Sequence, residues 1–216
     1  NICAEEVQYL GFSVGRQGLR VDESKLDAVK KSIPPKTKTQ LRIFLGLTGV
    51  YRRFIENYAK DAAPLTRYLK AERGDEFILD ANAVLAHETL KTAVTSAPVL
   101  ALPRPGAKMI LETDASNEQL GVQLLQEDDD GTVRPVGFWS RQCNKAECNY
   151  SATEKEALDV VWRTRICRPY LENTPLTVRS DHQALQWLFS VEISDANPHL
   201  VRWRLALSSY DFTVQY

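Results

Sequence analysis

The order of predicted elements from residue 107 onward constrains the fold of this chain more than any other feature. Three strand candidates come first, KMILETDA, LGVQLLQE and TVRPVGFWS, with an acidic hairpin tip, EDDDG, between the last two. A long helix at about 151–168, a strand PLTVRS, helices near 182–189 and 198–209 and a final strand DFTVQY follow. This succession predicts an α/β fold around a mixed five-stranded sheet.

Residues before 107 follow a different pattern, which predicts a hairpin and then helices. The stretch EEVQYLGFSVGRQGLRV predicts two short strands around a glycine-containing turn. A helix is expected from an N-cap at Asp22, and a second from Thr37 or Thr39 that continues until a break at Pro64. Residues 71–107 are interpreted as a connector with one amphipathic helix near 81–95, whose apolar residues are Val84, Leu85, Leu90 and Val94.

Charge is divided unevenly along a chain whose formal net charge is only −1. Residues 16–73 hold 14 Lys and Arg against 6 Asp and Glu, whereas residues 74–216 hold 13 against 20. A basic segment suits a polyanion, and helical surfaces that merely carry excess Lys and Arg are the alternative.

The sequence of 216 residues is expected to be intracellular and an internal piece of a longer protein. Its four cysteines, Cys3, Cys143, Cys148 and Cys167, form no C-x-x-C pair, which favours reduced thiols over a zinc site. No apolar run approaches the ~20 residues that span a bilayer, and no basic signal-peptide region precedes one, so no membrane partner is expected.

Three carboxylates occupy marked positions in the α/β segment. Asp114 ends the first strand, Glu154 lies in the first turn of the long helix, and Asp181 follows the fourth strand. Each has a purely structural alternative: an Asx-turn for Asp114, a capping box with Ser151 for Glu154, and an N-cap for Asp181.

Two further observations favour a metal site over these alternatives. Glu154 shares a helical face with Ala157, Leu158 and Val161, where a solvated acid is not expected. If the first and fourth strands are neighbours, both aspartates end at one edge of the sheet. Clustered carboxylates suit Mg²⁺, and two such ions about 4 Å apart can activate water against a phosphodiester.

Several motifs resemble a known family. LETDASNEQLGVQLLQ, RQCNKAECNYSATEKEALDVVW and LTVRSDHQALQWL are similar to the ribonuclease H domain of gypsy-type LTR retrotransposon polyproteins. YLGFSVGRQGLRVDESKLDAV and TQLRIFLGLTGVYRRFIENYAKDAAPLT resemble the end of the reverse transcriptase palm and its thumb. The resemblance implies the end of the palm at 1–21, a helical thumb at 22–70, a connector at 71–106 and a C-terminally incomplete ribonuclease H-like domain at 107–216.

The resemblance also implies chemistry and partners. The family couples RNA-directed DNA synthesis to metal-dependent hydrolysis of RNA in RNA–DNA hybrids, with Mg²⁺, or alternatively Mn²⁺. Asp114, Glu154 and Asp181 correspond to three of its four metal-binding carboxylates. The implied partners are the hybrid, the template–primer duplex and the rest of the polyprotein, in the cytoplasm, a virus-like particle or the nucleus. The positions implied to bind nucleic acid are Tyr9, Leu10, Gly11, Phe12, Lys38, Arg42, Arg52 and Arg53.

Departures from the family pattern define the alternative function. The Tyr-x-Asp-Asp motif of the polymerase and the fourth nuclease carboxylate are absent, so weak or no activity is expected of this fragment alone. Leu79 and His87 stand where the family usually has aromatic residues. The alternative is a non-catalytic nucleic-acid-binding remnant of a decayed retrotransposon.

Overall fold

The computed structural model describes residues 5–70, 77–116, 119–171, 174–179, 198–208, 210 and 212–215. The chain divides into two compact units. The first unit is Asn1–Leu102 with Gly137–Ser140, and the second is Pro103–Val136 with Arg141–Tyr216.

The first unit begins with an antiparallel sheet of three strands, β1 (Glu6–Tyr9), β2 (Phe12–Gly15) and β3 (Gly18–Val21). Two strands were expected, and the third arises because both glycine-containing turns close a hairpin. Gly18 is required by its φ of 132° and by close packing, since a Cβ there would overlap the carbonyl of Leu100. Leu19 and Leu100 exchange two backbone hydrogen bonds of 2.8 Å.

Two helices begin at the predicted caps. α1 (Glu23–Lys30) starts after Asp22, whose side chain accepts a hydrogen bond from Ser24 N at 2.9 Å. α2 (Lys38–Val50) starts after Thr37, which accepts one from Gln40 N at 3.2 Å. Both caps satisfy amide groups that have no partner inside the helix.

The predicted break at Pro64 is wrong. α3 runs from Tyr58 to Lys70 with Pro64 inside it. The helical run is interrupted earlier, by a 3₁₀ turn at Arg52–Phe54 and by Asn57, whose φ of 55° lies in the left-handed region. Proline removes one helical hydrogen bond, and burial of Ala62 and Leu65 beside it stabilises the helix against that loss.

α4 (Ala81–Thr95) confirms the predicted connector helix but not its whole apolar face. Leu90 and Val94 are fully buried, whereas Leu85 is 66% exposed and Val84 is exposed. Small residues and His87 fill the inner face instead, because α4 packs closely against α3. The buried core of this unit is largely apolar and aromatic, and its largest members include Leu41, Phe44, Tyr51, Phe54, Ile55, Tyr58, Leu65 and Leu90.

The mixed five-stranded sheet that the sequence predicts lies mainly in the second unit, and only Gly137–Ser140 of one of its strands belong to the first. Its strands are β4 (Lys108–Ser116), β5 (Gln119–Glu127), β6 (Val133–Gln142), β7 (Leu176–Arg179) and β8 (Phe212–Gln215), in the order β6-β5-β4-β7-β8. β4 is antiparallel to β5 and parallel to β7, which in turn is parallel to β8.

Two helices accompany the described part of this sheet, α5 (Ala152–Leu171) and α6 (Pro198–Leu207). α5 packs against β4 and β5 on one side and against α6 on another, so buried residues surround much of its circumference. None of the described helices combines the length and apolar character that a membrane crossing requires. The predicted helix at 182–189 lies outside the described residues.

Candidate functional site

One predicted aspartate lies on a strand, and the other comes, in the sequence, after the strand that is parallel to it. Asp114 lies on β4, with its backbone opposite Gly121 of β5. The described register between β4 and β7 ends at Glu112 opposite Arg179, and each aspartate comes two residues later in the sequence. The first and fourth predicted strands are therefore neighbours, which is the condition under which both aspartates were expected at one edge of the sheet. Asp181 and the side chain of Asp114 lie outside the part of the structure that is described.

Glu154 lies in the first turn of α5 and forms a capping box with Ser151. Its Oε2 accepts hydrogen bonds from Ser151 N and Ser151 Oγ, each at 2.9 Å, and its own amide donates to Ser151 Oγ at 3.3 Å. Ala157, Leu158 and Val161 are buried on the same helix, as predicted. The structure thus contains the capping arrangement, in which one carboxylate oxygen of Glu154 is held in place.

An ion pair between Arg141 and Glu147 precedes α5, and sequence reasoning missed it. Arg141 donates to both carboxylate oxygens of Glu147, at 2.6 and 2.9 Å, and Asn144 N adds a third hydrogen bond of 2.8 Å. The arginine lowers the pKa of Glu147 although burial opposes the shift. The residue types and their spacing of six were visible in the sequence, but they do not reveal that Glu147 is only 8% exposed.

A second ion pair lies inside α5, between Asp159 and Arg163. Both residues are buried, and Arg163 is among the largest fully buried side chains in the described structure. A spacing of four residues on a helix brings such side chains together. Sequence reasoning missed this pair because the same spacing is common on solvent-exposed helix faces.

A third ion pair joins the two strands that lead to the predicted aspartates. Arg179 Nη1 donates to Glu112 Oε1 at 2.7 Å, and both side chains are partly exposed. These two residues are opposite one another in the parallel register. The pair places a cation and a carboxylate immediately before the positions of Asp114 and Asp181 in the sequence.

The hairpin residues predicted to bind nucleic acid divide into two kinds. Tyr9 and Leu10 are 66% and 76% exposed, at a turn where Leu10 and Gly11 have φ values of 50° and 84°. The Phe12 ring instead packs against the rings of Tyr51 and Phe54. Its centroid lies 5.7 Å from that of Tyr51 and 5.8 Å from that of Phe54. The tip therefore presents an aromatic and an aliphatic side chain to solvent, and Phe12 fixes the hairpin to the helices.

The four predicted cations also divide into two kinds. Arg42 is exposed on α2, and Lys38 is half-buried at its first turn. Arg52 is exposed, yet its Nη2 donates to Ser140 O at 2.7 Å, and Arg53 lies over the Trp139 ring at 5.4 Å. Ser140 Oγ accepts a hydrogen bond from Ala59 N at 2.9 Å. The structure thus gives Arg52 and Arg53 packing partners within the first unit.

Among the side chains that the structure describes, no three of His, Cys, Asp and Glu gather as a metal-binding group. Asp181 and the side chain of Asp114 are not among those described side chains. The predicted set consists of carboxylates alone, and hard oxygen donors are the ligands that Mg²⁺ prefers. Their residue types and the parallel pairing of β4 with β7 fit such an ion.

Comparison with known proteins identifies the relatives of this chain. Residues 104–210 match the family described as an RNase H-like domain found in reverse transcriptase. The chain is 41% identical over 98% of its length to the retrovirus-related Pol polyprotein from transposon 297 of Drosophila melanogaster, and 34% identical to that from transposon opus. A transposon Tf2-3 polyprotein of Schizosaccharomyces pombe is 32% identical. The chain spans 19%, 22% and 16% of these proteins, about a fifth of their length.

Solved structures share the fold. The dRH form of the foamy viral protease–reverse transcriptase, in complex with double-stranded DNA, superimposes with a TM-score of 0.80 at 19% identity, over 98% of this chain and 37% of that one. The foamy viral protease–reverse transcriptase in complex with an RNA/DNA hybrid gives a TM-score of 0.78 at 20% identity, over 98% and 29%. These similarities confirm the predicted ribonuclease H-like fold.

The family comparisons also confirm the resemblance to gypsy-type LTR retrotransposon polyproteins that the sequence motifs indicated. The domain match begins three residues before the predicted ribonuclease H-like segment at 107. The chain belongs to the Pol polyprotein family of LTR retrotransposons, and its residues 104–210 form the RNase H-like domain found in reverse transcriptase.

Proposed function

We propose that this chain is part of a retroelement polymerase whose RNase H-like domain hydrolyses the RNA strand of RNA–DNA hybrids. The observation that carries the proposal is the parallel pairing of β4 with β7, which brings the strands that precede Asp114 and Asp181 side by side. Glu154 lies in the first turn of α5, and that helix packs against β4. The foamy viral enzyme, which has the same fold, was solved in complex with an RNA/DNA hybrid.

Asp114, Glu154 and Asp181 are the residues proposed to hold Mg²⁺, with Mn²⁺ as the alternative ion. Two bound ions would supply an activated water and stabilise the leaving oxygen of the cleaved phosphodiester. Hydrogen bonds and strand pairing position parts of this set. Ser151 holds one oxygen of Glu154, and the β4–β7 ladder fixes the backbone leading to both aspartates.

The helical part of the first unit is proposed to hold the template–primer duplex. Arg42 is exposed on α2, and Lys38 begins the same helix. Phosphate contacts by such residues give affinity that does not depend on sequence and that weakens with salt. Tyr9 and Leu10 are proposed to present exposed surface to the primer end. We also propose that residues 1–21 end the palm, residues 22–70 form the thumb and residues 71–106 form the connector.

The proposal is tested with a labelled hybrid cut by the 216-residue chain in Mg²⁺ and in Mn²⁺, with double-stranded DNA as control. We expect metal-dependent cleavage confined to the RNA strand and lost in Asp114→Asn. Activity that survives Asp114→Asn would contradict the assignment. Salt-sensitive hybrid binding with no cleavage, even by the longer polyprotein, would favour the non-catalytic remnant.

The duplex-binding part has its own test. Arg42→Ala should reduce the slope of log affinity against log salt for a hybrid by about 1, because one phosphate contact is lost. Arg52→Ala is the matched control, since Arg52 has a backbone partner at Ser140. An unchanged slope in Arg42→Ala would remove this residue from the interface.

An intracellular setting, where reverse transcription intermediates occur, is part of the proposal.

A further inference from the structure

The inference concerns two cysteines in the segment between β6 and α5, Cys143 and Cys148, which we call the thiol pair. Both are free thiols, and Cys148 is exposed whereas Cys143 is half-buried. The thiol of Cys148 donates a weak hydrogen bond to the carbonyl oxygen of Cys143, with the sulfur 3.9 Å from that oxygen. The two residues therefore lie against one another across a turn.

The turn is shaped by hydrogen bonds between the residues that the pair encloses. Asn144 and Glu147 form the reciprocal bonds of a capping box: Asn144 Oδ1 accepts from Glu147 N at 2.9 Å, and Glu147 Oε2 accepts from Asn144 N at 2.8 Å. Cys148 N donates to Asn144 O at 3.0 Å, which adds a helical bond to the same turn. The backbone that carries the two cysteines is thus fixed by its own polar contacts.

The thiol pair flanks this capping box. Cys143 comes directly before its first residue, and Cys148 directly after its last. Side chains at these two positions often pack against each other, usually as an apolar contact that fixes how the chain enters a helix. A cysteine can serve as a small apolar residue in such a contact, but it is also open to oxidation and disulfide exchange. The fold therefore brings together two groups that can be oxidised to a disulfide.

The two thiols differ in accessibility. Burial raises the pKa of the Cys143 thiol, the Glu147 carboxylate raises it further, Arg141 opposes the shift, and Cys148 adds to it. The contribution of Cys148 is a second sign that the two thiols are neighbours. Cys143 is protonated at neutral pH, so the exposed Cys148 is the thiol that a small oxidant in solution meets first.

We propose that Cys143 and Cys148 form a reversible redox site, which hydrogen peroxide closes to an intramolecular disulfide. The Cys148 sulfur attacks one peroxide oxygen, the O–O bond breaks, and a sulfenic acid forms while the thiol proton leaves with the first water. The Cys143 sulfur then attacks the Cys148 sulfur, the S–O bond breaks, and a second water leaves. Two thiols are oxidised and one peroxide is reduced, and a dithiol reductant reverses the reaction by exchange. The site does not depend on the proposed nuclease activity.

The test is peptide mapping of the full 216-residue chain after treatment with hydrogen peroxide under native conditions. The chain is first reduced and freed of reductant, and the thiols that remain after oxidation are alkylated. Trypsin cuts after Arg141, Lys145 and Lys155, so the two cysteines fall in different peptides. We expect these peptides to be joined in the monomer fraction, lighter by two hydrogen atoms than their sum, and to separate after treatment with dithiothreitol.

Serine variants test the role of each thiol. Cys148→Ser should abolish the joined peptides and leave Cys143 as a free thiol. Cys143→Ser should stop the reaction at a sulfenic acid on Cys148, which dimedone traps. Cys3→Ser is the matched control, because it removes a thiol outside the pair, and it should leave the joined peptides unchanged.

A redox titration measures whether the fold favours the bond. Equilibration with reduced and oxidised dithiothreitol should give a more reducing midpoint potential for the native chain than for the chain unfolded in urea, because the native turn already holds the thiols together. A native potential that is equal or less reducing would overturn the proposal. Oxidation of Cys148 to a sulfinic acid without joined peptides would also overturn it, as would a bond from either thiol to Cys3 or Cys167 in place of the pair.

Discussion

The buried carboxylates of the two units have different kinds of partner. In the first unit Asp22 is 6% exposed and accepts a hydrogen bond from a backbone amide at the start of α1. In the second unit Glu147 and Asp159 are buried against the guanidinium groups of Arg141 and Arg163. A helix start supplies amides to a capping acid as part of the fold, whereas a guanidinium must be supplied by one particular side chain.

This difference predicts which single substitutions lower the free energy of unfolding most. A buried carboxylate whose counter-ion is a side chain becomes an uncompensated charge when that side chain is removed. When a capping side chain is removed, water can become the hydrogen-bond partner of the helix amide, because helix ends lie close to solvent. Substitutions of partners in the second unit should therefore destabilise the chain more than substitutions of caps in the first.

The largest effect is expected for Arg163→Met. Removal of the guanidinium leaves the Asp159 carboxylate buried without its charge partner, which typically costs about 3–5 kcal/mol. Urea-induced unfolding followed by circular dichroism measures the loss. The double variant Asp159→Leu with Arg163→Met should recover most of the stability, since apolar residues of similar volume often replace buried ion pairs without penalty. A single variant as stable as the unmodified chain would break the comparison.

A smaller loss is expected for Arg141→Gln, about 1–3 kcal/mol, because Glu147 keeps its hydrogen bond from Asn144 N. The pH dependence sharpens this prediction. Arg141 lowers the pKa of folded Glu147, so this stability is present above the unfolded pKa of about 4.3 and is lost as pH falls through the folded value. Unfolding curves between neutral pH and pH 3 should show a weaker acid dependence in Arg141→Gln than in the unmodified chain.

Asp22→Ala should cost about 1 kcal/mol, the usual penalty for losing an N-cap side chain. Asp22→Asn is the control, since asparagine caps equally well and carries no charge. Chemical denaturation of both variants would separate the role of the hydrogen bond from that of the charge. A loss in Asp22→Asn as large as in Asp22→Ala would show that the charge matters, contrary to the comparison.

Protonation of His87 should not affect the free energy of unfolding above about pH 6.5 and should lower it increasingly at more acidic pH. Its side chain is fully buried next to Ser32 and Glu88, and its ring centroid lies 4.3 Å from that of Phe44. Burial lowers its pKa, although Glu88 opposes the shift. The unfolded chain therefore takes up the proton first, near pH 6.5, and stability is lost as pH falls toward the folded pKa.

The control for this prediction is His87→Phe, which keeps an aromatic ring at this buried position and cannot take up a proton. Thermal unfolding between pH 7.5 and pH 5 should lose part of its pH dependence in this variant. Identical pH profiles for the variant and the unmodified chain would exclude His87 as the titrating group.

Local signals in the sequence predicted local structure well. Asp22 and Thr37 were predicted as helix starts because cap residues act within three positions. The break expected at Pro64 is wrong because the packing of Ala62 and Leu65 outweighs the local cost of proline in a helix. Leu85 was placed on the wrong face of α4 because the helix fills its inner face with small residues and His87.

The candidate site was predictable where it follows from topology and not where it depends on distant partners. The adjacency of β4 and β7 follows from the order of strands and helices. The partner of Arg52 is 88 residues away in the sequence, so no spacing rule could distinguish it from Arg42. The ion pairs of Glu147 and Asp159 are local, but their burial is a tertiary property.

The central claim is that carboxylates of the second unit, with Asp114 foremost, hold the divalent ions of a nuclease. Titration calorimetry of Mn²⁺ into the unmodified chain and into Asp114→Asn tests it most directly. We expect saturable Mn²⁺ binding to the unmodified chain that is abolished or greatly weakened in Asp114→Asn, with helix content unchanged. Equal Mn²⁺ affinity and stoichiometry in the two proteins would contradict the account.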